Sequence, residues 1–477
     1  MIKKEIFRQY DIRGIVPETL NKDISRQIAN TFANKIIKVS HNNNPTLTVG
    51  RDVRLSSDEL FTGIRDGLID AGCNVIDLGI CPTPATYFSA FVLNVDGFIM
   101  ITGSHNPPEY NGLKLGIGKT TIHSKEILDL YDRILENGYK TSAKKGSVSS
   151  FDIVTKYIEW QVAHFSELKK KVASLDRNVL VAIDSGNGAA SKVAPAIFNK
   201  LAVKSIDLYC EEDGHFPNHH PDPTVPEYLK DIIKVVKEQA CDFGIAYDGD
   251  ADRIGVIDEK GHIIWGDMLL MAYAKELKKQ FDKPTVIADV KSSQILFDEL
   301  EKIGVNGIMW QTGHSLIKDK LKETNGELAG EMSGHIFFAD RYFGYDDAIY
   351  SSLRFLEVYI NSIIRGEIKT CSDLFKDLPK VFNTPEIRVD CLEEEKFHIV
   401  DDLKNIFNDY KLKKLHSVKD IIDIDGIRVI FDNGWGLLRA SNTQPVLVMR
   451  FEAKDALNLK MYQELFENEL NKISKGL

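Results

Sequence analysis

No uninterrupted apolar stretch approaches the roughly 18 residues that a membrane span requires, and the opening MIKKEIFRQYDIRG lacks the apolar core of a secretory leader. A cytoplasmic protein without a membrane partner is expected. The six cysteines are scattered and form no CxxC pair, which argues against a disulfide framework or a cysteine-built zinc site. Lysine and arginine number 60 against 70 aspartates and glutamates, a formal net charge of -10, so the basic excess needed to hold nucleic acid is missing. That deficit does not exclude a small anionic ligand, because exposed charges are screened beyond about 8 Å and a pocket can be locally positive. Low-complexity tracts and coiled-coil repeats are absent too.

What is present is enough apolar material, 43% of 477 residues, for several cores. At about 150 residues per domain the length suits three or four of them. Three segments repeat one plan. In TLTVGRDVRLSSDELFTGI, VLVAIDSGNGAASKVAPAIF and TVIADVKSSQILFDEL, an apolar run leads into a polar turn and then a helical pattern. Such runs predict βα units with buried, largely parallel strands. Each is followed by a compact polar loop: TGSHNPPEYNG, YDGDADRIG and GEMSGHIFF. Three tandem α/β domains with mixed sheets are therefore expected over 1–150, 151–259 and 260–372, the breaks falling at KTSAKKGSVSS, at IDEKGH and near residue 370. A smaller α+β domain follows over 373–477, carrying a fourth loop, LLRASNTQP, and a final amphipathic helix.

The loops carry the chemistry. YDGDADR sets Asp248, Asp250 and Asp252 at alternate positions after a strand, and three hard carboxylates converging on one point describe a divalent cation site, magnesium before all. The spacing also begins an EF-hand, with Glu259 at its twelfth position. Arg253, however, stands where that loop requires glycine, and a strand replaces the entering helix. A plain acidic turn is the third reading.

TGSHNPPEYNGLK offers Ser104, His105 and Lys114 on a loop stiffened by Pro107 and Pro108. Thr102 replaces the first glycine of an acyl-hydrolase elbow, and adjacent side chains tend to diverge, so a triad of Ser104 with His105 is not expected. A hydroxyl beside a metal can instead carry a phosphoryl group; an ordinary turn with a capping serine is the bland alternative. GEMSGHIFF supplies Glu331 and Ser333 to hold sugar hydroxyls, with His335 able to exchange protons or simply structural. In LLRASNTQP, Arg439, Ser441, Asn442 and Thr443 suit a phosphate cradle or a solvated turn. Arg8, Arg13, Arg51 and Arg54 near the N-terminus supply positive field or pair with neighbouring acids.

Taken in order, FRQYDIRG, TGSHNPPEYNGLK, DGDADR, TGHSLIK, GEMSGHIFF, RYFGYDD and RASNTQP resemble the α-D-phosphohexomutase family over nearly the whole chain, and most closely its bacterial phosphomannomutase/phosphoglucomutase branch. The resemblance implies four domains around a central active-site cleft, with the fourth hinging. It implies a phosphorylated Ser104 and Mg²⁺ held by Asp248, Asp250, Asp252 and a phosphoserine oxygen. Phosphate would pass between Ser104 and a hexose phosphate through a hexose 1,6-bisphosphate that turns round in the cleft.

By the same resemblance Glu331 and Ser333 read the sugar, and Arg439, Ser441, Asn442 and Thr443 hold the non-reacting phosphate. Arg253, Lys291 and His314 line the cleft. Lys114, Arg13 and His335 are proton-transfer candidates, Lys114 first, and His105 is counted with the catalytic loop. The methionine of GEMSGH points to mannose and glucose. The rival functions are a phosphoglucosamine mutase, a metal-dependent sugar-phosphate phosphatase and a non-enzymatic binder. A monomer or weak dimer is expected.

Overall fold

The computed structural model describes residues 2–441 and 445–476. Each predicted βα unit is found in it. Strand Thr46–Arg51 leads to helix Ser57–Asp70, strand Leu180–Asp184 to helix Ala194–Lys200, and strand Thr285–Asp289 to helix Gln294–Lys302. Valine, isoleucine and leucine in these strands fit a pleated surface covered on both faces. Of these three helices the last has a side-chain cap: Ser293 accepts from the N–H of Ile295.

The strands assemble into four sheets. In the first, Thr46–Arg51 runs parallel to both Asn74–Ile80 and Gly97–Ile101, while Tyr110–Ile117 lies antiparallel to Gly97–Ile101. In the second, Leu180–Asp184 lies between the parallel strands Lys204–Leu208 and Phe243–Tyr247, and Ile254–Asp258 returns antiparallel to the latter. In the third, Thr285–Asp289 is parallel to Asn306–Trp310 and Leu328–Gly330, with Ile336–Phe338 antiparallel to Leu328–Gly330.

In all three sheets the polar loop joins the last parallel strand to its antiparallel neighbour: 102–109, 248–253 and 331–335. A parallel strand delivers its carboxyl end to the face where open α/β sheets bind ligands, and an immediate reversal keeps the loop there. The fourth sheet is antiparallel throughout, and its loop lies between Gly434–Ala440 and Val446–Ala453.

Two of the breaks expected from composition fall within local structure. IDEKGH is the tight turn of a hairpin: Ile263–Ile264 pairs antiparallel with Ile254–Asp258, so the second sheet extends past residue 259. Near residue 370, Cys371 is fully buried in the large core, Ser372 donates to Glu259, and the fourth sheet begins only at Phe382–Asn383. Polar composition marked a solvent-facing turn in the first case and a capped short helix in the second.

The largest core runs continuously from Leu78 to Cys371 and takes in residues beside each of the first three sheets. The fourth has its own core around Phe407, Phe451 and Phe466. Between the third and fourth sheets Trp435 meets Val290, and the buried Arg428 guanidinium stacks 3.8 Å over the Trp435 ring. Arg428 donates to the carbonyl oxygens of Val290 and Ser292 at 2.6 and 2.8 Å, and Arg450 donates to that of Lys291. Among the described residues no helix is long and apolar enough to cross a membrane, and all six cysteines are free.

Candidate active site

The first two polar loops meet face to face. Ser104 has a left-handed backbone, φ 49°, on a loop held from behind by Arg54. That buried guanidinium donates to the carbonyl oxygens of Ser104, Asn106, Pro107 and Tyr110 at 2.7, 2.5, 2.6 and 2.9 Å. Asp52 accepts from the Gly103 N–H, and Arg13 donates to Asn106 Oδ1 at 2.6 Å while pairing with Asp11. The opposing loop leaves room for this approach because residue 249 is glycine: a Cβ there would lie 2.6 Å from the Ser104 carbonyl oxygen.

Across that gap Ser104 Oγ donates to Asp248 Oδ2 at 2.8 Å and lies 3.0 Å from His105 Nδ1. The second distance overturns the expectation that these neighbouring side chains diverge. Alternation holds for extended backbone, whereas the left-handed turn at Ser104 brings both groups to one side. The His105 carbonyl oxygen accepts from His220 Nε2, which ties the serine loop to the second sheet. Burial, then the positive charges of Arg253 and Arg13, hold the His105 imidazole well below its ordinary pKa and leave it neutral.

The three aspartates are fully buried, and one carboxylate oxygen from each lies within 4.8 Å of the others. Asp248 Oδ1 accepts the backbone N–H groups of Asp252 and Arg253, both at 3.0 Å. Asp250 Oδ2 accepts from Thr83 Oγ1 at 2.5 Å and from Lys114 Nζ at 3.0 Å, and Lys114 also donates to Asp252 Oδ2. Asp250 Oδ1 and Asp252 Oδ1 are buried without any hydrogen-bond partner. Hard oxygens left bare in a triple carboxylate are the donor set of a divalent cation, so the residues fit Mg²⁺. The EF-hand reading fails here, since Glu259 accepts from Ser372, on the far side of a hairpin.

Lys114 is not on the loop, as expected from sequence, but in the middle of strand Tyr110–Ile117, in register with Met100. Burial depresses its ammonium pKa, yet Asp250 and Asp252 outweigh that and hold it well above the usual lysine range. Burial and the two neighbouring carboxylates push Asp248 well up, while in Asp250 burial is overcome by Lys114 and Thr83, which hold it below the ordinary aspartate range. Three acids in one spot cannot share equally in one compensating charge.

The third loop joins this cluster through its backbone and His335. Gly334, at φ 93°, abuts strand Ile254–Asp258, whose Ile254 N–H donates to the Gly334 carbonyl at 3.0 Å. Arg253 Nε donates to His335 Nε2 at 3.0 Å. His335 Nδ1 lies 3.2 Å from Asp346 and 3.6 Å from Asp252. His314 begins the helix His314–Thr324 and lies 3.6 Å from Asp346; burial and Lys318 hold its imidazole well below the ordinary value. Glu331 Oε1 accepts from the Gly313 N–H at 2.6 Å, and Ser333 is half-buried beside it.

From the fourth sheet, Arg439 pairs with Asp425 at 2.8 Å, and the same carboxylate accepts from the Thr312 N–H at 3.0 Å. Lys291 Nζ donates to Glu386 Oε1 at 2.8 Å. Ser441 is buried and its carbonyl oxygen accepts from Lys396 at 2.7 Å. Asn442 and Thr443 lie outside the described residues. Arg51 stands apart from the site, between Asp58 and Asp77. Asp52, Thr83, His220 and Asp346 were missed as parts of the site, and Arg54 was read only as positive field or an ion-pair partner. Of these, Asp52, Arg54 and Asp346 lie in stretches the motifs had singled out.

Four family models match the chain in sequence. They describe phosphoglucomutase/phosphomannomutase α/β/α domains I, II and III over residues 4–141, 159–261 and 265–382, and the C-terminal domain over 386–469. A phosphomannomutase/phosphoglucomutase of Pseudomonas syringae pv. tomato is 42% identical over 474 residues, covering 99% of this chain and 96% of its own. A phosphoglucomutase of Neisseria gonorrhoeae is 38% identical over 467 residues, with 98% and 96% covered. Among solved structures, a phosphoglucomutase/phosphomannomutase family protein of Burkholderia thailandensis superposes with a TM-score of 0.88 at 37% identity, covering 100% of this chain and 99% of its own.

Proposed function

Because the chain belongs to the phosphoglucomutase/phosphomannomutase family, we propose that it is a mutase interconverting hexose 6-phosphates and hexose 1-phosphates, with mannose and glucose as its sugars. The observation that carries this reading is the 2.8 Å contact between Ser104 Oγ and Asp248 within a triple-aspartate cluster. A hydroxyl so placed is built to hold a phosphoryl group, and the cluster to hold Mg²⁺ through Asp248, Asp250, Asp252 and the phosphoserine. Bound there, Mg²⁺ neutralises the phosphoryl oxygens between which charge moves.

In the forward half reaction a sugar hydroxyl oxygen attacks phosphorus, the bond from phosphorus to Ser104 Oγ breaks, and the hydroxyl proton passes to the enzyme. In the return half reaction Ser104 Oγ attacks the other phosphate of the hexose 1,6-bisphosphate, the bond from that phosphorus to the sugar oxygen breaks, and the sugar oxygen takes a proton from the enzyme. The neutral His105 Nδ1, 3.0 Å away, is placed to take the serine proton at that point. Lys114, Arg13 and His335 are the candidates on the sugar's side. Glu331 and Ser333 then hold sugar hydroxyls, and Arg253, Lys291, His314 and Arg439 the phosphate and cleft wall, with Ser441, Asn442 and Thr443 completing the phosphate cradle.

One chain supplies all four loops, which supports a monomer or weak dimer, and six free thiols support a cytoplasmic setting. Intact and peptide mass of the purified protein tests the mechanism: a phosphate increment on the peptide containing Ser104, lost on mixing with a hexose monophosphate, is expected. Release of free phosphate without bisphosphate dependence would mark a phosphatase instead. A coupled assay with the 1-phosphates of mannose, glucose and glucosamine decides the sugar.

A further inference from the structure

Asp346 is fully buried and belongs to none of the groups proposed to touch substrate or metal. Its Oδ1 accepts from Lys318 Nζ at 3.2 Å. Its Oδ2 lies 3.2 Å from His335 Nδ1 and 3.6 Å from His314 Nδ1, nearer to His335 Nδ1 than Asp252 Oδ1, which stands 3.6 Å from that nitrogen; among the described residues neither Asp346 Oδ2 nor His335 Nδ1 makes a closer polar contact. The backbone of Asp346 is fixed by a bridge to Phe337, in the strand Ile336–Phe338 that follows His335 directly. Lys318 sits one helical turn after His314, so both face the carboxylate from one side of their helix.

The other nitrogen of His335 settles its chemistry. Arg253 has only N–H groups to offer, so Nε2 of His335, 3.0 Å from Arg253 Nε, must be an acceptor. In a neutral imidazole the proton then sits on Nδ1, facing Asp346. A protonated Nδ1 cannot ligate a metal, so the grouping of Asp252, His335 and Asp346 is not a second cation site.

We propose that Asp346 is a positioning residue, which holds His335 in the Nδ1–H tautomer and so leaves Nε2 as its only basic atom. Lys318 anchors the carboxylate from the opposite side. When the Arg253 fork turns to a phosphate, Nε2 is the atom left to accept a proton from a sugar hydroxyl; Nδ1–H stays on Asp346, and the imidazolium formed is balanced by that carboxylate. This inference rests on the mutase reading for its catalytic consequence, but its structural content does not.

The test uses the full chain with ¹⁵N-labelled histidine. The His335 signals are assigned by their absence in His335→Gln, and the unliganded protein is expected to show a protonated Nδ1 and a bare Nε2. In Asp346→Asn, Lys318 claims the amide oxygen, the amide NH₂ faces His335, and the tautomer inverts. Mutase kcat then falls by about 10²- to 10⁴-fold, with KM changed by less than about threefold. A parent protein protonated at Nε2 overturns the proposal, as does a folded Asp346→Asn variant with kcat within about threefold of the parent. If the variant does not fold, the parent spectrum decides alone. Failure of the mutase reading would be seen separately, as the absence of phosphate exchange on Ser104 in the parent.

Discussion

Ser104 Oγ and Asp248 Oδ2 are 2.8 Å apart although 144 positions separate them in the chain and each belongs to a different sheet. The phosphate carrier and the cation cluster are therefore brought together only by the way the first two sheets abut. Ser104→Ala removes a hydroxyl whose loss costs the fold about 1 kcal/mol. It is expected to lower mutase kcat by at least about 10⁴-fold, measured by a coupled assay beside a thermal melt. A rate near that of the parent would reject the phosphoserine.

Asp250 has one oxygen engaged by Thr83 and Lys114 and one with no partner. Chelation of divalent ions is expected to take the rate to background and Mg²⁺ to restore it. Asp250→Asn is expected to stay inactive at every Mg²⁺ concentration, and calorimetry should show its Mg²⁺ binding weakened by at least about tenfold. Full activity in this variant would exclude the cluster as the metal site.

Gly249 is needed for close approach rather than for a turn. In Gly249→Ala the new methyl would stand 2.6 Å from a backbone oxygen that cannot swing aside, so the two loops must part. A displacement on the order of 1 Å at reacting groups costs about 10²-fold in rate. Steady-state kinetics of this variant should show that loss in kcat with a native circular dichroism spectrum.

Arg54 fastens the serine loop through four carbonyl oxygens, and a lysine point charge cannot span them. Arg54→Lys is expected to lose about 3 kcal/mol of stability in chemical denaturation, and to raise hydrogen exchange across 102–109. Unchanged exchange there would show that the loop needs no clamp.

Glu386 joins the fourth sheet's entry strand to Lys291. Burial pushes its carboxyl up, but the Lys291 ammonium outweighs this and holds it down at about 2, against 4.5 for an unperturbed glutamate. A depressed pKa contributes stability that is present above about 4.5 and is lost as pH falls through about 2, a component on the order of 3 kcal/mol. Acid titration followed by hydrogen exchange of residues 382–390 should show that component in the parent and not in Glu386→Gln.

The βα units and the polar loops were legible because strand runs and turn residues act locally. So was the convergence of the three aspartates on one point, since their alternate spacing confines them. The convergence of Ser104 with His105 was not, because it depends on a left-handed backbone that a serine seldom adopts and no residue type announces. Lys114 was assigned to the wrong element for a related reason: YNGLKLGI has glycines that mimic loop composition while pairing fully with Gly97–Ile101. Arg54 and Asp346 act through partners far away in the chain, and no local pattern carries that information. The polar stretch IDEKGH is the turn of a hairpin, and composition alone does not show that the second sheet continues beyond it.

The seam between the third and fourth sheets is asymmetric in the atoms it uses. On one side stand two arginine side chains, Arg428 and Arg450; on the other, the main-chain oxygens of Val290, Lys291 and Ser292. Every amino acid carries a carbonyl, so sequence drift at the receiving positions leaves these acceptors in place. Drift at either arginine removes a donor outright. The hydrogen bonding of this junction is thus one-sided, and a library randomised at both faces should accept apolar replacements of similar size at 290, where the side chain packs on Trp435, but little variety at 428.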